Sequence, residues 1–191
     1  IETEETVLST SIRMFQHIPI SEAIKPMLSQ ILKVFLKHPS LAIRLDTLKV
    51  WHLVTVHDNE FSMANELLEL MNFRGQEECH EIAKALARTG PVGIKFLYKY
   101  LKKGPDDKEL RSIFYAGIEN AFTKDLHDNL FVMKFLITGL ELGDIDAASA
   151  LQPHFQKRDL LEPQLAKWLE NWIAIFLRKE LNKPQPNEEL V

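Results

Sequence analysis

The sequence predicts an all-α fold of roughly ten short helices with no β-sheet. Apolar residues recur at three- and four-residue spacing along nearly the whole chain, and no convincing stretch alternates with a period of two. Proline and glycine stand between these periodic segments at regular intervals, as they do at helix ends and turns. The predicted helices span residues 4–17, 21–37, 41–57, 60–73, 77–89, 91–103, 107–123, 129–142, 144–158 and 163–181.

Three of the prolines that lie at or inside predicted helices bear on where those helices begin or bend. Pro91 suits the first position of its helix, because the backbone N–H that proline lacks would have no intrahelical partner there. Pro26 and Pro153 lie within predicted helices, so each of these two helices either kinks at its proline or begins there.

Charged residues at a regular distance predict that the helices repeat in pairs. Arg44, Glu78 and Arg111 follow one another at nearly equal steps, and each precedes hydrophobic residues by four and seven positions. A helix pair that repeats at a period in the low thirties indicates an α-solenoid, in which stacked hairpins bury a core that one hairpin cannot bury alone. An irregular bundle would contain similar helices without the period. The spacing therefore favours a right-handed α-solenoid of about four hairpins.

Length and composition indicate one folded unit. The chain has 191 residues, of which 46% are hydrophobic, enough for a single domain with a substantial core. We expect one helical-repeat domain over residues 1–181. Residues 182–191 contain two prolines and no periodicity, which predicts a disordered C-terminal tail.

Charge and cysteine content bear on the partners and the compartment. The net charge is −4 and the pI is near 6.0, whereas a chain that mainly holds nucleic acid is usually basic. Cys79 is the only cysteine and cannot form an internal disulfide, so we expect an intracellular reducing compartment, the cytoplasm or the nucleus. No apolar run reaches the roughly 18 residues that span a bilayer, so we expect no membrane insertion.

Two segments resemble HEAT repeats. Residues 85–118, ALARTGPVGIKFLYKYLKKGPDDKELRSIFYAGI, combine a small-residue helix end, a Gly-Pro corner, a helix, a short acidic turn and an arginine that opens the next helix. Residues 38–51, HPSLAIRLDTLKVW, are similar. The resemblance implies a non-catalytic protein–protein scaffold or adaptor that binds another protein within a larger complex.

Two other segments resemble pentatricopeptide repeats. Residues 131–163 and 62–75 show a Gly-Asp turn, an Ala-rich second helix and a closing glycine or proline. This resemblance implies the alternative function, an RNA-binding protein of mitochondria or plastids that acts in transcript processing or translation. In that family a polar residue early in the first helix of each hairpin reads one base, and the matching positions here are Asp46, His80 and Lys134. The sequence leaves open which of the two repeat phases applies.

The sequence contains no recognisable catalytic or metal-binding pattern. It has no Cys-x-x-Cys, His-x-x-x-His or His-Glu-x-x-His spacing, so neither a metal site nor a cofactor site is predicted. A solitary cysteine on a helix is usually a small packing residue. The carboxylate pairs 77–78 and 106–107 stand where helices begin, where negative charge stabilises the positive end of the helix dipole. We therefore expect a protein that is not an enzyme.

The sixth predicted helix carries the main candidate binding surface. Lys95, Lys99 and Lys102 are spaced at i, i+4 and i+7 and form one basic stripe, with Phe96 and Tyr100 beside it. Three further cations complete this candidate surface: Lys103, Lys108 and Arg111. The surface either binds an acidic face of a partner protein or binds RNA phosphates and bases. The remaining alternative is a solvated helix face whose aromatic rings pack on the next helix.

The last predicted helix carries a second candidate surface. Trp168 and Trp172 are four residues apart and share one side of the helix with several leucines. Such an apolar band either caps the last repeat or docks a neighbouring protein, because aromatic side chains are frequent interface anchors.

Overall fold

The computed structural model describes residues 2–55, 60–101, 104, 106–119, 126–156 and 163–182. Every regular element in these residues is helical, which confirms the predicted all-α class. The α-helices are α1 (Glu2–Met14), α2 (Lys25–Phe35), α3 (Leu41–Val50), α4 (Glu60–Met71), α5 (Gln76–Arg88), α6 (Pro91–Leu101), α7 (Lys108–Ile118), α8 (Leu126–Glu141), α9 (Ile145–Gln156) and α10 (Pro163–Leu181). Short 3-10 helices, Phe15–His17 and Trp51–Val54, follow α1 and α3.

Each helix of the described residues corresponds to one predicted span. Helix α6 begins at Pro91, as the sequence predicts. Pro26 lies in the first turn of α2, so that helix begins at its proline, whereas Pro153 lies inside α9. Of the tail predicted over 182–191, Asn182 follows α10 as a turn and the other residues lie outside the described part.

The helices contact one another in two series. In the odd series, α1 packs against α3, α3 against α5, α5 against α7 and α7 against α9. In the even series, α4 packs against α6, and an ion pair of 2.6 Å joins Lys33 on α2 to Glu66 on α4. Most helices also pack against their neighbours along the chain. None of the described helices combines the length and the hydrophobicity that crossing a bilayer requires.

Trp51 is the largest side chain that the core encloses completely. Its exposed fraction is 0%, and its 3-10 helix packs between α2, α3 and α5. The helical spacing of Leu45, Leu48 and Trp51 in the sequence predicts a core position for Trp51, and its burial confirms that prediction. Tyr115 and Phe114 on α7 are the next largest enclosed side chains, so aromatic rings fill the core on either side of α5.

We expect the Trp51→Ala substitution to lower the free energy of unfolding by about 3–5 kcal/mol, because it removes a fully buried ring and leaves a cavity. The matched control is Phe73→Ala, since the Phe73 side chain is 84% exposed. Urea denaturation of the two variants measures the difference. Equal midpoints for the two variants would contradict the core placement of Trp51.

Candidate functional site

Arg44 links the loop before α3 to the start of α5. Its Nε and Nη2 atoms donate to the two carboxylate oxygens of Glu78, each at 2.8 Å. Its Nη1 atom donates to the backbone carbonyls of His38 and Pro39 at 2.8 and 2.7 Å. The Arg44 and Glu78 side chains are only 12% and 9% exposed. The pair is therefore a bidentate contact, largely shielded from water, between neighbouring helices of the odd series.

Arg111 makes the corresponding contact between α7 and α9. Its Nε and Nη2 atoms donate to the Asp144 carboxylate at 2.6 and 3.2 Å. The Tyr115 hydroxyl also donates to this carboxylate, at 3.0 Å. The Arg111 and Asp144 side chains are 11% and 6% exposed. Asp144 thus receives donors from two side chains of α7 while it stands at the start of α9.

The turn between α8 and α9 fixes the position of Asp144. Gly143 has a φ of +81°, a left-handed conformation that glycine adopts without steric cost. The N–H groups of Asp144 and Gly143 donate to the carbonyls of Gly139 and Leu140, each at 2.9 Å, which closes a Schellman turn. Gly139 also admits the Tyr115 hydroxyl, because a Cβ atom at Gly139 would lie 2.1 Å from that oxygen.

The electrostatics of these contacts hold both carboxylates in their charged form. The hydrogen bonds from Arg44 lower the pKa of Glu78, and those from Arg111 lower the pKa of Asp144, in each case against the opposing effect of burial. Burial and the hydrogen bond to Asp144 raise the pKa of Tyr115, so its hydroxyl remains a donor. These carboxylates join helices, and each is engaged by an arginine of the chain itself.

Four charged residues therefore form what we name the ion-pair ladder: Arg44, Glu78, Arg111 and Asp144. The partners of the first pair are separated by 34 positions in the chain and those of the second pair by 33. The step between the two pairs is of similar length, and the charges alternate in sign along the chain. Sequence analysis identified the first three members by their common spacing but missed Asp144. The signal was available, because one more step of the same length from Arg111 leads to this acidic residue.

The described members of the predicted lysine surface differ in their exposure and contacts. Lys95 and Lys99 are exposed on α6, and Lys108 is exposed at the start of α7. Phe96 is half-buried and meets Phe61 of α4 edge to face, with ring centroids 5.0 Å apart. Tyr100 is also half-buried, and Arg111 belongs to the ion-pair ladder. Lys102 and Lys103 lie outside the described residues.

The tryptophans of α10 take part in its packing. Trp168 and Trp172 are half-buried, and both rest against the core. The Trp172 ring stacks on Phe176 at 5.0 Å with an interplanar angle of 21°. Phe176 itself is buried, so the apolar band of α10 faces the core along part of its width.

The three residues predicted to read RNA bases lie on three different helices. Asp46 is buried on α3 and receives hydrogen bonds from Ser9 and Lys49. His80 is half-buried on α5, and Lys134 is exposed on α8. Asp46 and His80 therefore belong to the odd series, whereas Lys134 lies on α8, which packs against α7 and α9.

Cys79 is a buried packing residue. Its sulfur lies 3.5 Å from the carbonyl oxygens of Met71 and Arg74, and burial raises the pKa of its thiol. Such a thiol is a poor nucleophile at neutral pH. Across the described ranges, no group of three or more His, Cys, Asp or Glu side chains is arranged to hold a metal ion.

Comparison of the chain with protein-family models, with curated proteins and with solved structures gives no match.

We expect the ion-pair ladder to make stability fall with acid. A carboxylate whose pKa is lowered on folding contributes stability that is complete above its unfolded pKa of about 4 and is lost as the pH falls through its folded pKa. The Glu78→Gln and Asp144→Asn variants should therefore be less stable than wild type at pH 7 and lose less stability between about pH 5 and pH 2.

The control for this measurement is Glu77→Gln, which neutralises the exposed neighbour of Glu78 in the same helical turn. When stability is measured by urea denaturation at each pH, Glu77→Gln should lose as much stability as wild type between about pH 5 and pH 2. An Asp144→Asn variant that loses as much stability as wild type over this pH range would contradict the assigned role of Asp144.

Proposed function

We propose that this chain is a non-catalytic α-solenoid binding module that acts as a protein–protein scaffold or adaptor. The observation that carries the proposal is the ion-pair ladder, whose members recur at nearly equal steps along the chain and pair across neighbouring helices of the odd series. A repeated polar contact of this kind gives successive hairpins the same relative placement. The order of contacts within the odd and even series supports the same architecture.

A scaffold of stacked hairpins acts by presenting a rigid surface. In the proposed module, Lys95 and Lys99 on α6 bind an acidic surface of a partner protein. The Phe61–Phe96 contact supports this role because it holds α6 against α4 and so fixes the helix that bears the lysines. The single buried cysteine fits an intracellular reducing compartment, the cytoplasm or the nucleus.

We expect the Lys95→Glu/Lys99→Glu variant to lose partner binding while its melting temperature stays near that of wild type, because exposed lysines on a helix contribute little to folding. The matched control is Lys134→Glu/Lys179→Glu, which makes the same change in net charge at exposed positions of α8 and α10. Affinity capture with each protein as bait, followed by quantitative mass spectrometry, compares the recovered partners.

The proposal requires that a defined set of proteins is captured by wild type and by the control but not by Lys95→Glu/Lys99→Glu. Recovery of the same proteins by both double variants would contradict it.

The RNA-binding alternative makes a different prediction for the same surface. Affinity for a single-stranded oligouridine would then fall steeply with salt, because each phosphate contact releases counterions. For a protein-binding module of net charge −4, we expect feeble binding at low and at physiological salt alike. Fluorescence anisotropy of a labelled oligouridine measures this, and tight, salt-sensitive binding would favour the RNA alternative.

A further inference from the structure

A carboxylate between α1 and α3 holds a guanidinium of the chain itself. The Asp46 carboxylate accepts a hydrogen bond from the Ser9 hydroxyl and lies 3.2 Å from the Nε atom of Arg13. Arg13 also donates from Nη2 to the Ser9 hydroxyl at 3.0 Å. Ser9 and Arg13 are four residues apart, so they share one side of α1. Serine, aspartate and arginine here form one connected group at a contact between two odd-series helices.

A second serine–aspartate pair lies between α7 and α9, and no arginine of the described residues accompanies it. The Ser112 hydroxyl donates to the Asp146 carboxylate at 3.1 Å. Asp146 follows the ladder residue Asp144 by two positions, just as Asp46 follows Arg44. The residue four positions after Ser112, which corresponds to Arg13 on α1, is Ala116. The small alanine side chain leaves open space beside the Asp146 carboxylate.

That space is a cavity of about 190 Å³ on the odd series. Ser112, Ala116 and Asp146 line it together with Glu119 of the α7 end and His80 of α5. Among the described residues that line it, two are carboxylates and none is lysine or arginine. The volume is smaller than the roughly 300–1,000 Å³ of most small-molecule sites but is sufficient for one long side chain.

We infer that this cavity is a binding site for an arginine side chain presented by a partner protein. The carboxylates of Asp146 and Glu119 supply the negative charge, and the Ser112 hydroxyl supplies a further polar contact. The planar guanidinium suits this position better than an ammonium, because its fork of donors matches a carboxylate pairwise. The chain's own Arg13 occupies the corresponding position beside Asp46, where its Nε atom lies 3.2 Å from the carboxylate.

This arginine site lies on the odd series, whereas the lysines of the proposed scaffold surface lie on α6 of the even series. The two surfaces carry opposite charge and call for opposite partners. The two proposals are therefore independent, and an experiment that refutes binding at one surface leaves the proposal for the other surface intact.

The direct test is an NMR titration of the isotope-labelled full chain with N-acetyl-arginine methylamide. We expect saturable shifts of backbone amides around Ser112, Ala116 and Asp146. The matched probe is N-acetyl-citrulline methylamide, which has nearly the same shape without the charge. Absence of saturable shifts with the arginine probe, or equal affinity for the citrulline probe, would overturn the inference.

Substitutions of the two carboxylates test the contacts. The double variant Asp146→Asn/Glu119→Gln should bind the arginine probe about tenfold more weakly or worse, because it loses hydrogen bonds between charged groups. The control Glu141→Gln removes an exposed carboxylate at the end of α8 and should leave the affinity unchanged. An affinity that does not differ between the double variant and the control would overturn the assignment.

Filling the site from within provides a gain-of-function test. Ala116→Arg places an arginine four residues after Ser112, as Arg13 stands after Ser9, so it should raise the melting temperature and abolish the probe shifts. Ala116→Gln is the control for chain length and helix propensity, and it should give no rise in melting temperature. An Ala116→Arg variant that still binds the probe with wild-type affinity would overturn the proposal.

Discussion

Two arginine–carboxylate pairs constrain how neighbouring helices of the odd series are placed. Arg44 pairs with Glu78 and Arg111 pairs with Asp144, and all four side chains are at least seven-eighths shielded from water. Removing one partner of such a pair leaves an uncompensated charge in a poorly hydrated position, which is strongly destabilising. Aliphatic packing alone tolerates small shifts between helices, whereas a bidentate pair is satisfied at one register. The ladder therefore specifies which turn of α3 faces α5 and which turn of α7 faces α9.

The same chemistry links the architecture to the proposed binding sites. Among the described residues, Asp46, Glu78 and Asp144 each pair with an arginine of the preceding odd-series helix. Asp146 pairs with Ser112 as Asp46 pairs with Ser9, but Ala116 occupies the position that corresponds to Arg13. The proposed arginine site follows from this difference, because a carboxylate arrangement that the chain fills elsewhere is left for a partner to fill.

Much of the helical fold was predictable from the sequence, because apolar periodicity and Gly/Pro punctuation are local signals. The beginning of α6 at Pro91 and the core position of Trp51 follow from such signals. Contacts between helices were less accessible. Phe61 and Phe96 lie on helices that are not consecutive in the chain, and nothing local predicts that their rings meet. The Gly-Asp pair before α9 is a local turn signal, and such a signal does not indicate that the Asp144 carboxylate pairs with another helix. The pair does form a turn, and its carboxylate also completes the ladder.

The central claim is that the ladder pairs couple neighbouring odd-series helices, and a double-mutant cycle on Arg111 and Asp144 tests it most directly. The single variants Arg111→Ala and Asp144→Ala and the double variant are compared with wild type by urea denaturation. The account predicts an interaction energy of about 1–3 kcal/mol, because each single variant strands the charge of the other. The cross-pair cycle of Arg44→Ala with Asp144→Ala should be additive to within about 0.5 kcal/mol. Additivity of the Arg111 and Asp144 substitutions would contradict the account.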